Sequence, residues 1–176
     1  MSTALPNNGD GHQIITVQMV NGHRVASGLN GNPRFPGGTL RMQTPHFLDL
    51  GLDLRVFHVG TLNVSIAPLH YSVGRAKLTF ANVQWHPTAP AEDFSFFDVR
   101  LLRPQGDPVA GLIYYPHPNT KPEHFQQTDV LELLLPFVAG LQYGMELQLQ
   151  IPRAQMTFAS AAAPLRPARD EASKTS

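Results

Sequence analysis

The sequence predicts a mainly β domain, a small closed barrel of about six to seven strands with one or two short helices. Three observations lead there. Apolar residues recur at every second position in several short runs, the period of a half-buried strand. Sixteen prolines and fourteen glycines are scattered along the 176 residues, and a proline inside a helix removes a donor and breaks it. Turn chemistry separates the runs, as at Asn21-Gly22 and at Pro104-Gln105-Gly106-Asp107.

The elements follow in chain order. Met1–Gly11 is polar and Gly-rich, and is expected as a disordered tail. Gln13–Met19 is β-branched and alternating, and His23–Ser27 continues it past the Asn21-Gly22 turn. Gln43–Leu50 is the first short helix. Val59–Ile66 places Leu62, Val64 and Ile66 on one face and Thr61, Asn63 and Ser65 on the other. Ala76–Gln84 is expected to turn Leu78, Phe80 and Val83 inward. Phe94–Leu102 and Val109–Tyr115 flank a turn and form a hairpin. Val130–Leu135 is mostly apolar, as suits a strand buried on both faces. Pro136–Gln142 is the second short helix, and Met145–Ile151 turns Met145, Leu147, Leu149 and Ile151 inward. Ala159–Ser176 is expected as a second disordered tail, so a single domain is predicted over residues 12–158. These runs suit a barrel or a sandwich; a barrel is favoured because few of them carry the marks of a protected edge.

Composition excludes several classes. Thirteen Lys and Arg balance thirteen Asp and Glu, leaving no basic field for nucleic acid or anionic lipid. Without cysteine there are no disulfides, thiolate nucleophiles or Cys-ligated zinc. The first residues have neither the basic start nor the apolar core of a secretory signal, and no apolar run is long enough to span a bilayer. A cytoplasmic protein is expected.

Three segments carry chemistry. On the Val59–Ile66 strand, Thr61 and Asn63 stand side by side as a hydroxyl and a carboxamide. Such neutral oxygens help hold Mg²⁺ when substrate phosphates and water complete the shell. Gly60 before them lets a phosphate approach the backbone. The alternative is an ordinary strand with a polar face. In Ala26–Asn32 the closely spaced Gly28 and Gly31, with Leu29 and Asn30 between them, can present backbone N–H groups to one anion. Gly37-Gly38 follows between Arg34 and Arg41. Glycines so placed also serve plain turn geometry, and no Walker lysine follows. Glu132 is a carboxylate inside the apolar Val130–Leu135, so it is paired, hydrogen-bonded or neutral unless its strand lies at an edge. Buried in that way it is a candidate for binding hydroxyls or taking a proton.

The order of these pieces resembles the archaeal CTP-dependent riboflavin kinases, a cradle-loop β-barrel family. The matching segments are V-A-S-G-L-N-G at 25–31, H-F-L-D-L-G-L at 46–52, G-T-L-N-V at 60–64, V-L-E-L-L-L-P at 130–136 and Y-G-M-E-L-Q-L at 143–149. The resemblance covers most of residues 17–151, with insertions around 32–45 and 86–95, and G-T-L-N-V is its most specific part. It implies transfer of the γ-phosphoryl of CTP to riboflavin, giving CDP and FMN with Mg²⁺ as cofactor. By the same resemblance Gly28, Leu29, Asn30 and Gly31 bind the nucleotide, and Thr61 and Asn63 hold the metal. Glu132 lies at the flavin and is the catalytic candidate, with Thr120 or His124 as a second flavin contact. The chain departs from the family in three places. Asn30, Asn32 and Pro33 stand where an acidic and an aromatic residue are usual, the flavin threonine matches Thr120 only with a gap, and Phe137–Gly140 replaces a basic segment.

Two other readings stand beside the kinase. One is a barrel that binds a nucleotide, flavin or other phosphorylated ligand without catalysis, in keeping with the altered nucleotide side. The other is a metal-dependent enzyme using His117, Glu123 and His124, with His86 as an outlying ligand. Three prolines constrain that histidine loop, and plain surface histidines are its simpler reading. Trp85 is expected to pack at a strand end.

Overall fold

The computed structural model describes residues 11–22, 33–121 and 127–160. The elements are β1 (His12–Val20), α1 (Thr39–Asp49), a 3₁₀ turn (Leu54–Val56), β2 (Leu62–Ser65), β3 (Leu69–Val73), β4 (Leu78–Val83), β5 (Glu92–Leu102), β6 (Val109–Pro116), β7 (Val130–Leu134), β8 (Glu146–Pro152) and β9 (Met156–Ser160). Strands β5-β6-β7-β2-β1-β8 pair in that order, and β8 pairs back onto β5, closing a six-stranded antiparallel barrel. β4 is added on the outside of β5, and β3 and β9 form a separate two-stranded ribbon.

The two-residue period explains the interior. Ile15, Val17 and Met19 of β1, Val64 of β2, and Leu131 and Leu133 of β7 point into the barrel with Leu147, Leu149 and Ile151 of β8. Residues one position away point outward. Over β5, β6 and β7 these outward residues are also apolar and form a second core under α1, with Phe94, Phe96, Leu112 and Leu134 packed beneath Leu40 and Phe47. Phe47 is fully buried, its ring edge-on to Phe94 at 5.1 Å and to Phe96 at 5.2 Å. Each such pair adds about 0.5–1.5 kcal/mol to simple burial. β7 is thus apolar on both faces because it is covered on both.

Several expectations are corrected. Pro136–Gln142 holds no helix: the chain turns there, with Gly140 at φ 84°. The regular helix is α1, which begins four residues before the predicted Gln43 and contains Pro45. Leu78, Phe80 and Val83 belong to the helix-covered core and not to the barrel interior. Met145 is exposed, because β8 begins only at Glu146. β3 and β9 are unanticipated, and β9 carries the domain to Ser160, past the predicted boundary at 158. The tails predicted over 1–11 and from 159, and the strand predicted at His23–Ser27, otherwise fall outside the described residues. Trp85 packs as expected, buried against Phe35.

Candidate functional site

The site begins with the register of the central strands. Asn63 of β2 lies opposite Glu132 of β7, and Glu132 lies opposite Tyr114 of β6. Val20 of β1 lies opposite Asn63 on the other side. Directly opposed residues of antiparallel strands share a face, so Val20, Asn63, Glu132 and Tyr114 form a row across four strands. Because Met19, Val64, Leu131, Leu133 and Ile113 fill the barrel, the row lies on its outer face. Glu132 is therefore on a central strand, half-buried, and not at a solvent edge.

Thr61 joins the row. Its Oγ1 donates to Asn63 Oδ1 over 3.4 Å, so the two oxygens predicted to hold Mg²⁺ do converge. Adjacent ligands of an octahedral Mg²⁺, each at 2.0–2.1 Å, stand about 3 Å apart, which this pair approaches. The Asn63 carboxamide also lies flat against the backbone of Gly22, where a Cβ would overlap its nitrogen. Gly28, Leu29, Asn30 and Gly31 themselves lie outside the described residues, as does His124.

Glu132 acts on its surroundings electrostatically. The Tyr114 phenol is pushed well above its usual range by burial and then by the Glu132 charge, and its hydroxyl donates a 2.9 Å hydrogen bond to Gln43 Oε1. Burial first, then Tyr115 and Glu132, raises the Tyr71 phenol as well. Both tyrosines stay protonated.

Thr120 is differently employed. Its hydroxyl accepts from the Asp93 amide at 2.8 Å and donates to the His117 carbonyl at 3.3 Å, which fastens the loop after β6 to the start of β5. Of the alternative metal set only His117 and His86 are described; among the described residues no group of three His, Asp or Glu is placed for a metal. His117 Nε2 instead meets Ser95 Oγ at 2.8 Å, and His86 Nδ1 accepts from the Ala89 amide at 3.1 Å. Glu123 lies outside the described residues.

Beside the polar row the structure holds a feature that strand periodicity does not reveal. A cavity of about 270 Å³ opens between α1 and the Leu54–Val59 segment. Leu134 forms its floor, two residues along β7 from Glu132, and Val59 is at its wall, two residues before Thr61. Leu54 and Phe57 supply apolar walls; Arg41, Arg55 and His58 are the basic groups around it. Arg55 is committed to Asp53, through a bidentate contact at 2.8 Å on each arm. That contact holds the exposed Asp53 carboxyl down at about 2. Of the two arginines that flank Gly37-Gly38, only Arg41 lines this cavity.

Fold and site define a closed six-stranded antiparallel barrel with a polar, carboxylate-bearing row and a basic-rimmed cavity on its outer face. No protein-family model and no curated protein matches the chain. No helix among the described residues is long and apolar enough to cross a membrane.

Proposed function

We propose that the chain is a cytoplasmic phosphotransferase of the riboflavin-kinase type, making FMN and CDP from riboflavin and CTP. One observation carries the reading: the Thr61–Asn63 oxygen pair and the Glu132 carboxylate, far apart in sequence, meet on neighbouring strands. Phosphoryl transfer needs positioning and charge neutralisation more than covalent chemistry. Thr61 and Asn63 would hold Mg²⁺, whose chemistry there is neutralisation of phosphate charge. Neutral oxygens alone bind it poorly, so the ion arrives with the nucleotide.

Glu132 orients the terminal ribityl hydroxyl and accepts its proton as that oxygen bonds to the γ-phosphorus. The bond from the γ-phosphorus to the CDP oxygen breaks, and CDP leaves with the electron pair. The protonated Tyr114 opposite Glu132 does not compete with it for that proton. The test is FMN formation from riboflavin by the purified chain with CTP or ATP and Mg²⁺. Absence of product with both nucleotides refutes the kinase.

A second reading, a barrel that holds the phosphorylated ligand without turnover, has its own support. The Thr120 hydroxyl is engaged in a turn, and Phe137, in the segment where the family is basic, is 78% exposed. Thermal stabilisation by FMN without any by CTP and Mg²⁺ favours this second reading, since a ligand of the folded state raises its melting point.

A further inference from the structure

We infer that the cavity between α1 and the Leu54–Val59 segment is a site for a small uncharged hydrocarbon, a single ring with a short alkyl substituent. Apolar surface makes up most of its lining, and Leu134, Leu40 and Leu54 in it are 1%, 4% and 6% exposed. All three are held in the second core, so they form a fixed surface. The polar groups around the cavity are already engaged. Thr44 Oγ1 donates to the Leu40 carbonyl at 2.7 Å, and Arg55 grips Asp53. The Arg41 side chain lies back over Gly37, where a Cβ would come within 2.8 Å of its Cδ and 3.1 Å of its Nη1. The His58 ring meets Phe137, with centroids 6.0 Å apart, and the His58 amide donates to the Leu135 carbonyl at 2.8 Å. A charged or hydrogen-bonding ligand would therefore shed its water without gaining a partner, a loss that a hydrocarbon does not suffer.

Size narrows the class further. An apolar space of about 150 Å³ is enough to take up benzene, and pockets for drug-sized ligands begin near about 300 Å³. At about 270 Å³ this cavity fits one ring with a short chain. Val59 both lines the cavity and is 59% exposed, so the cavity reaches solvent at that residue. Such a site is independent of the phosphotransferase chemistry proposed for Thr61, Asn63 and Glu132.

The test is methyl NMR of the full chain titrated with n-propylbenzene, toluene and benzoate. n-Propylbenzene is expected to saturate with a Kd below about 1 mM. The methyls of Leu40, Leu54, Val59 and Leu134 should shift with it, and those of Leu133, Leu147 and Leu149 inside the barrel should not. Benzoate, which matches toluene in shape and adds a charge, should bind about tenfold or more weakly than toluene. Val59→Trp adds bulk at an exposed position and should weaken n-propylbenzene about tenfold or more, with the barrel methyls unmoved. The inference is overturned if no hydrocarbon saturates the four methyls, if barrel-interior methyls shift instead, if Val59→Trp binds like the parent, or if benzoate binds more tightly than toluene. Displacement of n-propylbenzene by FMN or CMP would assign the cavity to a phosphorylated ligand and overturn it too. A shift of the same four methyls on concentrating the ligand-free chain would give the cavity to a second copy, with the same consequence.

Discussion

Asn63 and Glu132 face each other across the β2–β7 pair, a carboxamide opposite a carboxylate on the outer face of the barrel. Neither is fully buried, and Asn63 Oδ1 is already turned toward Thr61. Asn63→Leu keeps the volume and removes the oxygen. It is expected to abolish Mg²⁺-dependent nucleotide binding and any phosphoryl transfer, at a stability cost within about 1 kcal/mol. Titration with and without Mg²⁺, paired with urea unfolding, reads both effects. Retained Mg²⁺ dependence in a folded variant would show that the ion sits elsewhere.

Gly22 owes its identity to the same asparagine. Its backbone leaves room for the carboxamide only because it has no Cβ. Gly22→Ala should therefore cost about 1–3 kcal/mol by overpacking. Asn63→Ala in the same background should recover most of that loss, with a coupling of about 0.5–3 kcal/mol in the double-mutant cycle. Additive effects across the four proteins would mean that Gly22 serves the turn alone.

At Gly111 of β6 the neighbour is backbone. A Cβ there would overlap the Leu134 carbonyl oxygen and the Leu135 side chain. A carbonyl in a barrel ladder cannot swing away as a surface side chain can, so Gly111→Ala forces β6 and β7 apart. The expected loss is about 1–3 kcal/mol, read by denaturant unfolding. An unchanged midpoint would show that the strands accommodate a methyl group without moving.

Much of this geometry was legible because a strand has a fixed period. Met145–Ile151 gave its inward residues correctly from Leu147 on, and the apolar Val130–Leu135 run announced a strand covered on both sides. Thr61 and Asn63 could be placed on one face for the same reason. Their meeting with Glu132 could not be read from the period, since the β2–β7 pairing is a long-range choice; only the resemblance suggested it. β3 escaped notice because its alternation is weak, Ser72 and Val73 both being exposed, and β9 because it is short and runs into the segment read as a tail. Pro136–Gln142 has apolar residues at helical spacing, but Pro136 and Gly140 favour the turn it adopts. The second core was illegible as such, because residues that face outward from a barrel look like interior ones until a helix covers them.

Tyr114 gives the barrel an alkaline limit. Burial and the Glu132 charge raise its phenol, whereas an unfolded tyrosine loses its proton near about pH 10. The folded state thus keeps a proton that the unfolded state has lost. Stability is fully present below about pH 10 and falls as the pH rises beyond it. Tyr71 acts in the same direction. Tyr114→Phe leaves Gln43 Oε1 without its buried donor and should cost about 1–3 kcal/mol near neutrality. It should also flatten the decline between about pH 9 and pH 11. An alkaline slope as steep as the parent's would assign the effect to other groups.

Glu92 makes the converse case at acid pH. It is only 5% exposed, at the start of β5, and burial raises its carboxyl; Lys121 and the Trp85 indole pull it back down. The Trp85 N–H faces this carboxylate without forming a fully aligned hydrogen bond, so the ion is under-compensated. Tyr114 also feels its charge. A raised folded value places the favourable contribution below the unfolded value of about 4.3, and that contribution is lost as the pH climbs through the folded one. At neutral pH the buried carboxylate is therefore a net cost that its neighbours only partly offset. Glu92→Gln keeps the shape and an acceptor for Trp85 but removes the charge. Its melting temperature should exceed the parent's at pH 7, and the difference should shrink as both carboxyls protonate toward about pH 3.5. A lower melting temperature at pH 7 would mean that the Lys121 attraction outweighs desolvation, and that Glu92 clasps the loop after β6 to the barrel.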